Sequence, residues 1–446
     1  MALKLEQFLF YFLFFAIPLQ TRKILYSPGW YYNEWQSVYL YATDVLLIVL
    51  FLFWGFSSIR GPKFLISNFK FQNPDFYLVL FLAAAAISVK NSSDFYVGAF
   101  LWLKLAEFAL LYFYLKTYAL RKFNFITALY VLIIGGAFQA IISIGQFLKQ
   151  GDLGLRLFGE SVLSPHMAGV ASFFIDSGEK IMRAYGTTPH PNVLAAYLFL
   201  SIVAFYFVVF YARPNKFLVH SGHFVMLLGL FTSFSRTIIF LFFFNFFVRG
   251  FLLNFVKRFR REFLTKEFIK EKFLPIFLVT IIATAAFASF YWPEVQSRMT
   301  LSSEEEAVKL RIFYNKESLG GGINLFGVGL GDFTGWLMEQ EPNLPSYMYQ
   351  PVHNIYLLVY SEIGIIGFVL FLLFIGGLLY EFVKRVKMRK MWDYSFLLVT
   401  GSVLLIGLFD HFLLTIQQGR FVFWLSLALL VALTNYKDSD RIKNEQ

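Results

Sequence analysis

Cysteine is absent from the 446 residues of this chain. Its absence excludes disulfides, thiolate metal sites and a cysteine nucleophile together. Charge is scarce as well: Asp, Glu, Lys and Arg supply 15% of the residues, against roughly a quarter in a soluble domain. Acid is the scarcer sign, with 28 acidic residues to 39 basic and a net charge of +11. What is plentiful is apolar: 58% of residues are hydrophobic, 21% are aromatic and the mean hydropathy is +0.61. Such a composition excludes a soluble globule, a disordered chain and a small secreted domain, and predicts an integral membrane protein.

A spanning helix needs about 20 mostly apolar residues. That ruler predicts an all-α protein with twelve spans, at 6–20, 42–59, 75–90, 96–118, 124–149, 192–212, 217–234, 236–256, 273–292, 354–382, 394–414 and 419–436. The whole chain, 1–446, reads as one polytopic membrane domain. Its start, with Lys4 before the apolar run Phe8–Leu19, resembles a signal peptide, but the residues around Pro18 offer no small-residue cleavage site. It is therefore read as a retained first span.

The basic residues set the expected orientation. With both termini inside, 25 of them fall on inner segments and 13 on outer ones, and the short segment 383–393 is densely basic. This is the pattern of positively charged cytoplasmic loops, so the surplus of positive charge needs no nucleic-acid partner. Two outer segments, 150–191 and 293–353, exceed the length of a simple connector. The second contains Ser303-Glu304-Glu305-Glu306, a capping box ahead of Ala307, Leu310, Phe313 and Tyr314 at helical spacing. A partly helical outer cap is expected between spans nine and ten.

Polar groups gather on the same predicted outer side. Arg183 precedes Gly186, Pro189, His190, Pro191 and Asn192; Ser235 and Arg236 join spans seven and eight; Arg311 lies in the cap helix. Gly327, Gly329 and Gly331 follow, then His353-Asn354, and finally Asp410-His411 and Arg420 around the last outer turn. An arginine at a helix end is ordinarily a snorkelling anchor. Arg236 has almost no loop to carry it into water, and an ionisable group at membrane depth points to function. Clustered guanidinium groups grip phosphate oxygens in a bidentate way and suit a diphosphate. The local sequence leaves His353 divided between a structural helix cap and a proton acceptor near neutral pH. His190 is held stiffly between two prolines, whereas His166, His220 and His223 read as structural or incidental.

Other motifs carry less. The glycines at 327, 329 and 331 lack the flanking strand and helix of a dinucleotide fingerprint and read as a compact turn that exposes its backbone. Asp438-Ser439-Asp440 imitates a nucleotide-sugar metal motif but falls in a polar tail on the opposite side. Lys104 and Glu107, three residues apart inside the fourth span, are expected to neutralise each other. Asn91-Ser92-Ser93 satisfies a glycosylation sequon by chance. No His, Asp or Glu cluster has metal-ligand spacing, and no cofactor is expected.

Taken in order, Arg183 with Gly186 and Pro189-His190-Pro191-Asn192, then Ser235-Arg236, Arg311, Phe326-Gly327-Val328-Gly329 and His353-Asn354 with Glu362-Ile363-Gly364, resemble the O-antigen ligase and O-antigen polymerase superfamily of bacterial membrane glycosyltransferases. The resemblance covers about residues 180–420. It implies a GT-C-like architecture in the bacterial cytoplasmic membrane, with the active site on the periplasmic or exterior face. It further implies metal-independent transfer of a glycan from undecaprenyl diphosphate. On this chain Arg183, Arg236 and Arg311 would hold the diphosphate and His353 would activate the acceptor hydroxyl. His190, Asn192, Ser235, Gly327, Gly329, Asn354, Asp410 and Arg420 would support them. The acceptor would be lipid A–core in a ligase, a second lipid-linked repeat in a polymerase, or a protein in other relatives. A transporter or flippase is the competing class, although its polar groups should lie near the membrane midplane.

Overall fold

The computed structural model describes residues 2–28, 32–60, 73–211, 216–255, 269–299, 306–320, 324–386 and 391–434. The fold is built from α-helices joined by short loops, with two small antiparallel hairpins. In the first part α1 is Ala2–Ala16, β1 Arg22–Tyr26, β2 Val38–Tyr41, α2 Ala42–Arg60, α3 Pro74–Ser88, α4 Phe95–Tyr114 and α5 Phe125–Lys149. Strands β3 (Ser172–Phe174) and β4 (Lys180–Met182) precede α6 (Pro191–Tyr211), α7 (Lys216–Thr232), α8 (Arg236–Phe255) and α9 (Leu274–Phe290). The cap segment holds α10 (Trp292–Met299), α11 (Glu306–Gly320) and α12 (Phe333–Gln340). Helices α13 (Ile355–Val386), α14 (Met391–Ile406) and α15 (Gln417–Thr434) complete the chain.

Among the described residues, six helical stretches are long and apolar enough to cross a membrane: Pro74–Asn91, Phe95–Lys122, Phe125–Lys149, Pro191–Phe210, Ile269–Phe290 and Ile355–Lys384. Helices α1, α2, α7, α8, α14 and α15 lie at the other six predicted positions, but over their described residues they fall short of that measure. The protein is thus a helical membrane protein. Ser303 to Glu305 of the expected capping box and Asp438-Ser439-Asp440 lie outside the described residues, but the helix expected after the box is present as α11.

Packing follows from composition. Helix α6 is apolar on every side and buried along nearly its whole length, as a helix without a polar stripe must be. It packs against α5, α7 and α15. Outer helices instead turn large apolar side chains outward, among them Phe240, Phe247, Phe251 and Ile282, which suits a lipid surface. Small residues let the central helices approach: a Cβ on Gly229 of α7 would lie 2.6 Å from Ala140 Cα of α5.

Helix α13 is broken at Gly364, where φ is +78°. The backbone groups freed by the break are paired by the loop that begins at Asn324. Val328 N–H donates to Ser361 O at 2.8 Å, Gly329 N–H to Glu362 O at 3.1 Å and Ile365 N–H to Asn324 O at 3.0 Å. Irregular backbone in an apolar setting survives only when it is satisfied in this way. The glycine turn is therefore a clamp on α13, whose backbone is paired with protein. This corrects the expectation of a turn that exposes its backbone.

The ion pair expected inside the fourth span is present, with Lys104 Nζ 3.0 Å from Glu107, but Lys104 also lies 2.5 Å from Asp44 of α2. Gln417 of α15 donates to the same Asp44 carboxylate. The three helices are thereby pinned by one buried polar group, which a single pair read along the sequence could not reveal.

Candidate functional site

Two glutamines of α5 shape the loop that carries Arg183. Gln146 accepts from the N–H groups of Tyr185 and Gly186 and donates to Gly186 O, while Gln139 accepts from Thr187 N–H at 2.9 Å. Gly186 takes a positive φ of 61° at the bend, a conformation glycine reaches without strain. Arg183 is then held from two sides. Its Nε donates to Ser233 O at 2.7 Å and its Nη2 to Asn192 Oδ1 at 2.6 Å. Ser233 lies in the turn between α7 and α8, where Phe234 has φ +46° and Arg236 opens α8.

Asn192 passes the connection on, its Nδ2 donating to Asp410 Oδ2 at 2.7 Å. The other oxygen of Asp410 accepts from His411 N–H at 2.8 Å. The His411 ring bonds through Nδ1 with Thr415 Oγ1 at 2.7 Å and stands edge-on to the His353 ring at 4.8 Å. His353 is stacked on Tyr314 of α11 at 5.4 Å, and the Tyr314 hydroxyl donates to Met348 O. One connected set of side chains thus runs from Arg183 to His353, through residues far apart in sequence.

His353 Nδ1 lies 3.1 Å from the carbonyl oxygen of Pro351. A carbonyl can only accept, so the contact requires the proton on Nδ1 and leaves Nε2 with its lone pair free to take a proton. Burial lowers the His353 pKa below its ordinary value of 6.5 and the Arg311 charge adds to this, while Asp410 and the Pro351 carbonyl oppose it. The ring is therefore a neutral base near pH 7. Burial would raise the Asp410 carboxyl, but His411, His353, His190 and Asn192 outweigh it and hold the pKa at about 2. Burial first, then the neighbouring Arg183, push His190 down to about 3.

Arg311 lies one turn before Tyr314 on α11, and its charge is felt at His353, His190, His411 and Arg183. Its Nε is buried with no hydrogen-bond partner among the described residues, an arrangement that calls for an acceptor. A further cation, Arg298 of α10, stands over the Phe173 ring at 5.3 Å and is felt at Arg183. Sequence reading missed Arg298, Tyr314 and the part played by His411. The adjacency of His411 to Asp410 was the one available signal.

The remaining expected residues separate into two groups. His190 accepts from Asn192 N–H at 3.2 Å and belongs with the connected set, and Ser235 lies in the turn that receives Arg183. Asn354 caps α13 by accepting from Tyr356 and Leu357 N–H. Gly327 and Gly329 belong to the clamp on α13: a Cβ at Gly327 would lie 2.3 Å from Glu362. Arg420 donates to Leu414 O at 2.7 Å and has Tyr41, Glu107, Asp44 and Glu362 as electrostatic neighbours. The structure does not bring these last four into the Arg183–His353 set. Among the described residues no group of three His, Asp or Glu side chains could hold a metal ion.

These features define a polytopic membrane protein with a basic, histidine-bearing site where several helix ends meet. Residues 221–372 match the family described as O-antigen ligase, which supports a place in the O-antigen ligase superfamily. The matched segment contains Arg236, Arg311 and His353, whereas Arg183, Asn192 and Asp410 lie outside it. No curated protein matches the chain.

Proposed function

We propose that this protein is a metal-independent, inverting glycosyltransferase that moves a glycan from undecaprenyl diphosphate to an acceptor hydroxyl, in the manner of an O-antigen ligase. The observation that carries the reading is the connected set from Arg183 through Asn192 and Asp410 to His411, ending at a His353 whose free Nε2 can act as base. His353 Nε2 takes the acceptor hydroxyl proton as that oxygen attacks the anomeric carbon. The bond from that carbon to the diphosphate oxygen breaks, and its electron pair leaves with the diphosphate. Arg183, Arg236 and Arg311 bind the diphosphate and stabilise the growing negative charge. The proposed setting is a GT-C-like bundle of twelve spans in the bacterial inner membrane, with both termini cytoplasmic and the site facing the periplasm or exterior. The partners are then the lipid-linked glycan, membrane lipid and a glycan, lipid or protein acceptor.

Polymerisation of lipid-linked repeats and glycosylation of a protein use the same chemistry with another acceptor. The test is a transfer assay on purified protein with a synthetic undecaprenyl-diphosphate glycan, with and without lipid A–core. Consumption that needs both the core and His353 supports a ligase, and longer lipid-linked products without the core support a polymerase. No consumption with any acceptor, protein included, overturns glycan transfer and favours transport.

A further inference from the structure

A second space lies beside the site. It encloses about 1050 Å³, part of it open to solvent. Its rim is the β1–β2 hairpin, with Arg22, Trp35 and Tyr39, and its floor includes Phe81, Leu105 and Trp424 from α3, α4 and α15. These floor residues sit about two to three turns inside helices whose nearer ends lie at Ser88, Phe95 and Gln417. At 1.5 Å per residue that is roughly 10–15 Å from the helix ends. The rim is aromatic and polar, and the floor is apolar at membrane depth.

The cavity reaches His353 through two contacts. Trp35 stands edge-on to the His411 ring at 4.9 Å, and His411 stands edge-on to His353 at 4.8 Å. Pro351 and Thr415, which also line the cavity, are the hydrogen-bond partners of His353 and His411. The cavity's cations are already compensated: Arg22 pairs with Glu34 at 2.8 Å and lies over the Tyr39 ring at 4.3 Å, and Arg420 has Glu362, Asp44 and Glu107 for neighbours. By contrast, among the described residues Arg183 bonds Ser233 O and Asn192 and no carboxylate. A diphosphate is better matched to the arginine group, and an uncharged sugar to this rim, where aromatic faces can cover its apolar side.

We infer that this cavity binds a glycolipid, with its sugar against the Trp35–Tyr39 rim and its alkyl chain along the Phe81–Leu105–Trp424 floor. That the glycolipid is the acceptor, presented to His353 across His411, rests on the transfer reading above. It gives the first part of the chain, which lies outside the matched segment 221–372, a share in acceptor recognition through Trp35, Tyr39, Phe81 and Leu105. It also favours a lipid-anchored acceptor over a protein.

The test is photolabelling of the full chain in phospholipid nanodiscs with a dodecyl glucoside carrying a diazirine in its alkyl chain. Label is expected on the peptides holding Phe100–Leu105 and Trp424, competed by plain dodecyl glucoside, and reduced about tenfold in Leu105→Trp, whose indole fills the floor. Arg236→Ala should label like the wild type. Trp35→Ala, a change on the rim that leaves the helices alone, should raise the KM for a glycolipid acceptor about tenfold with little change in kcat. Equal labelling in wild type and Leu105→Trp, or equal competition by dodecyl diphosphate, overturns the inference. Labelling as expected in a protein that transfers no glycan supports the glycolipid cavity and removes the transfer reading alone.

Discussion

Asn192 and Asp410 stand 218 residues apart in the chain, and a 2.7 Å hydrogen bond joins them. Asn192 bonds Arg183 with its oxygen and Asp410 with its nitrogen. An amide presents one acceptor and one donor end and so fits between a guanidinium and a carboxylate; an acid at this place would face Asp410 with like charge. Asn192→Ala should cut this connection and raise the donor KM about tenfold, with a smaller effect on acceptor KM. Steady-state kinetics with each substrate varied in turn checks this.

His353→Ala should lower transfer by about two to four orders of magnitude, the usual worth of a positioned base. The protein should stay folded with a modest fall in thermal midpoint, because among the described residues the ring bonds Pro351 O and otherwise packs on Tyr314 and His411. Full activity in this variant would remove the base assignment.

The pH dependence has a definite sign. The proposed mechanism needs a neutral His353, and burial holds its pKa below 6.5. Activity should therefore rise with pH along an acid limb centred below that value and be level through pH 7. Asp410 holds the His353 pKa up, so Asp410→Asn should move the limb to still lower pH. A limb that stays in place, or shifts upward, would show that Asp410 does not act on His353. The readout is kcat/KM across pH 4–8 for both proteins.

Arg236→Lys keeps the charge and loses the planar fork, so donor KM should rise even though the net charge is unchanged. Arg236→Ala should be worse. Wild-type kinetics in both variants would end the diphosphate role. Arg298→Ala should weaken donor binding by a smaller factor, as expected of a cation that reaches the site through Arg183.

Gly364→Ala tests the clamp on α13. An added Cβ would lie 2.4 Å from the backbone of Leu325, at a φ that L-residues adopt with strain. A loss of about 1–3 kcal/mol is expected from this glycine-only backbone region alone, with a lower thermal midpoint in detergent. An unchanged midpoint would mean that loop and helix can part without cost.

The amino-acid sequence by itself determined the membrane class, because apolar runs of spanning length are a local property that composition reveals directly. It determined the order of the arginines and His353, and hence a resemblance that the match over residues 221–372 supports. Periodicity also revealed the cap helix beginning at Glu306. Only the tertiary structure decided which polar residues meet. Arg420 and the glycines at 327 and 329 look alike to Asn192 and Asp410 in a list of polar or special positions, yet they hold the scaffold while Asn192 and Asp410 join the site. Hydrophobicity is additive along a segment, whereas a hydrogen-bonded connection depends on the packing of helices distant in sequence. The contact of Trp35 with His411, which ties the N-terminal hairpin to the site, belongs wholly to that packing.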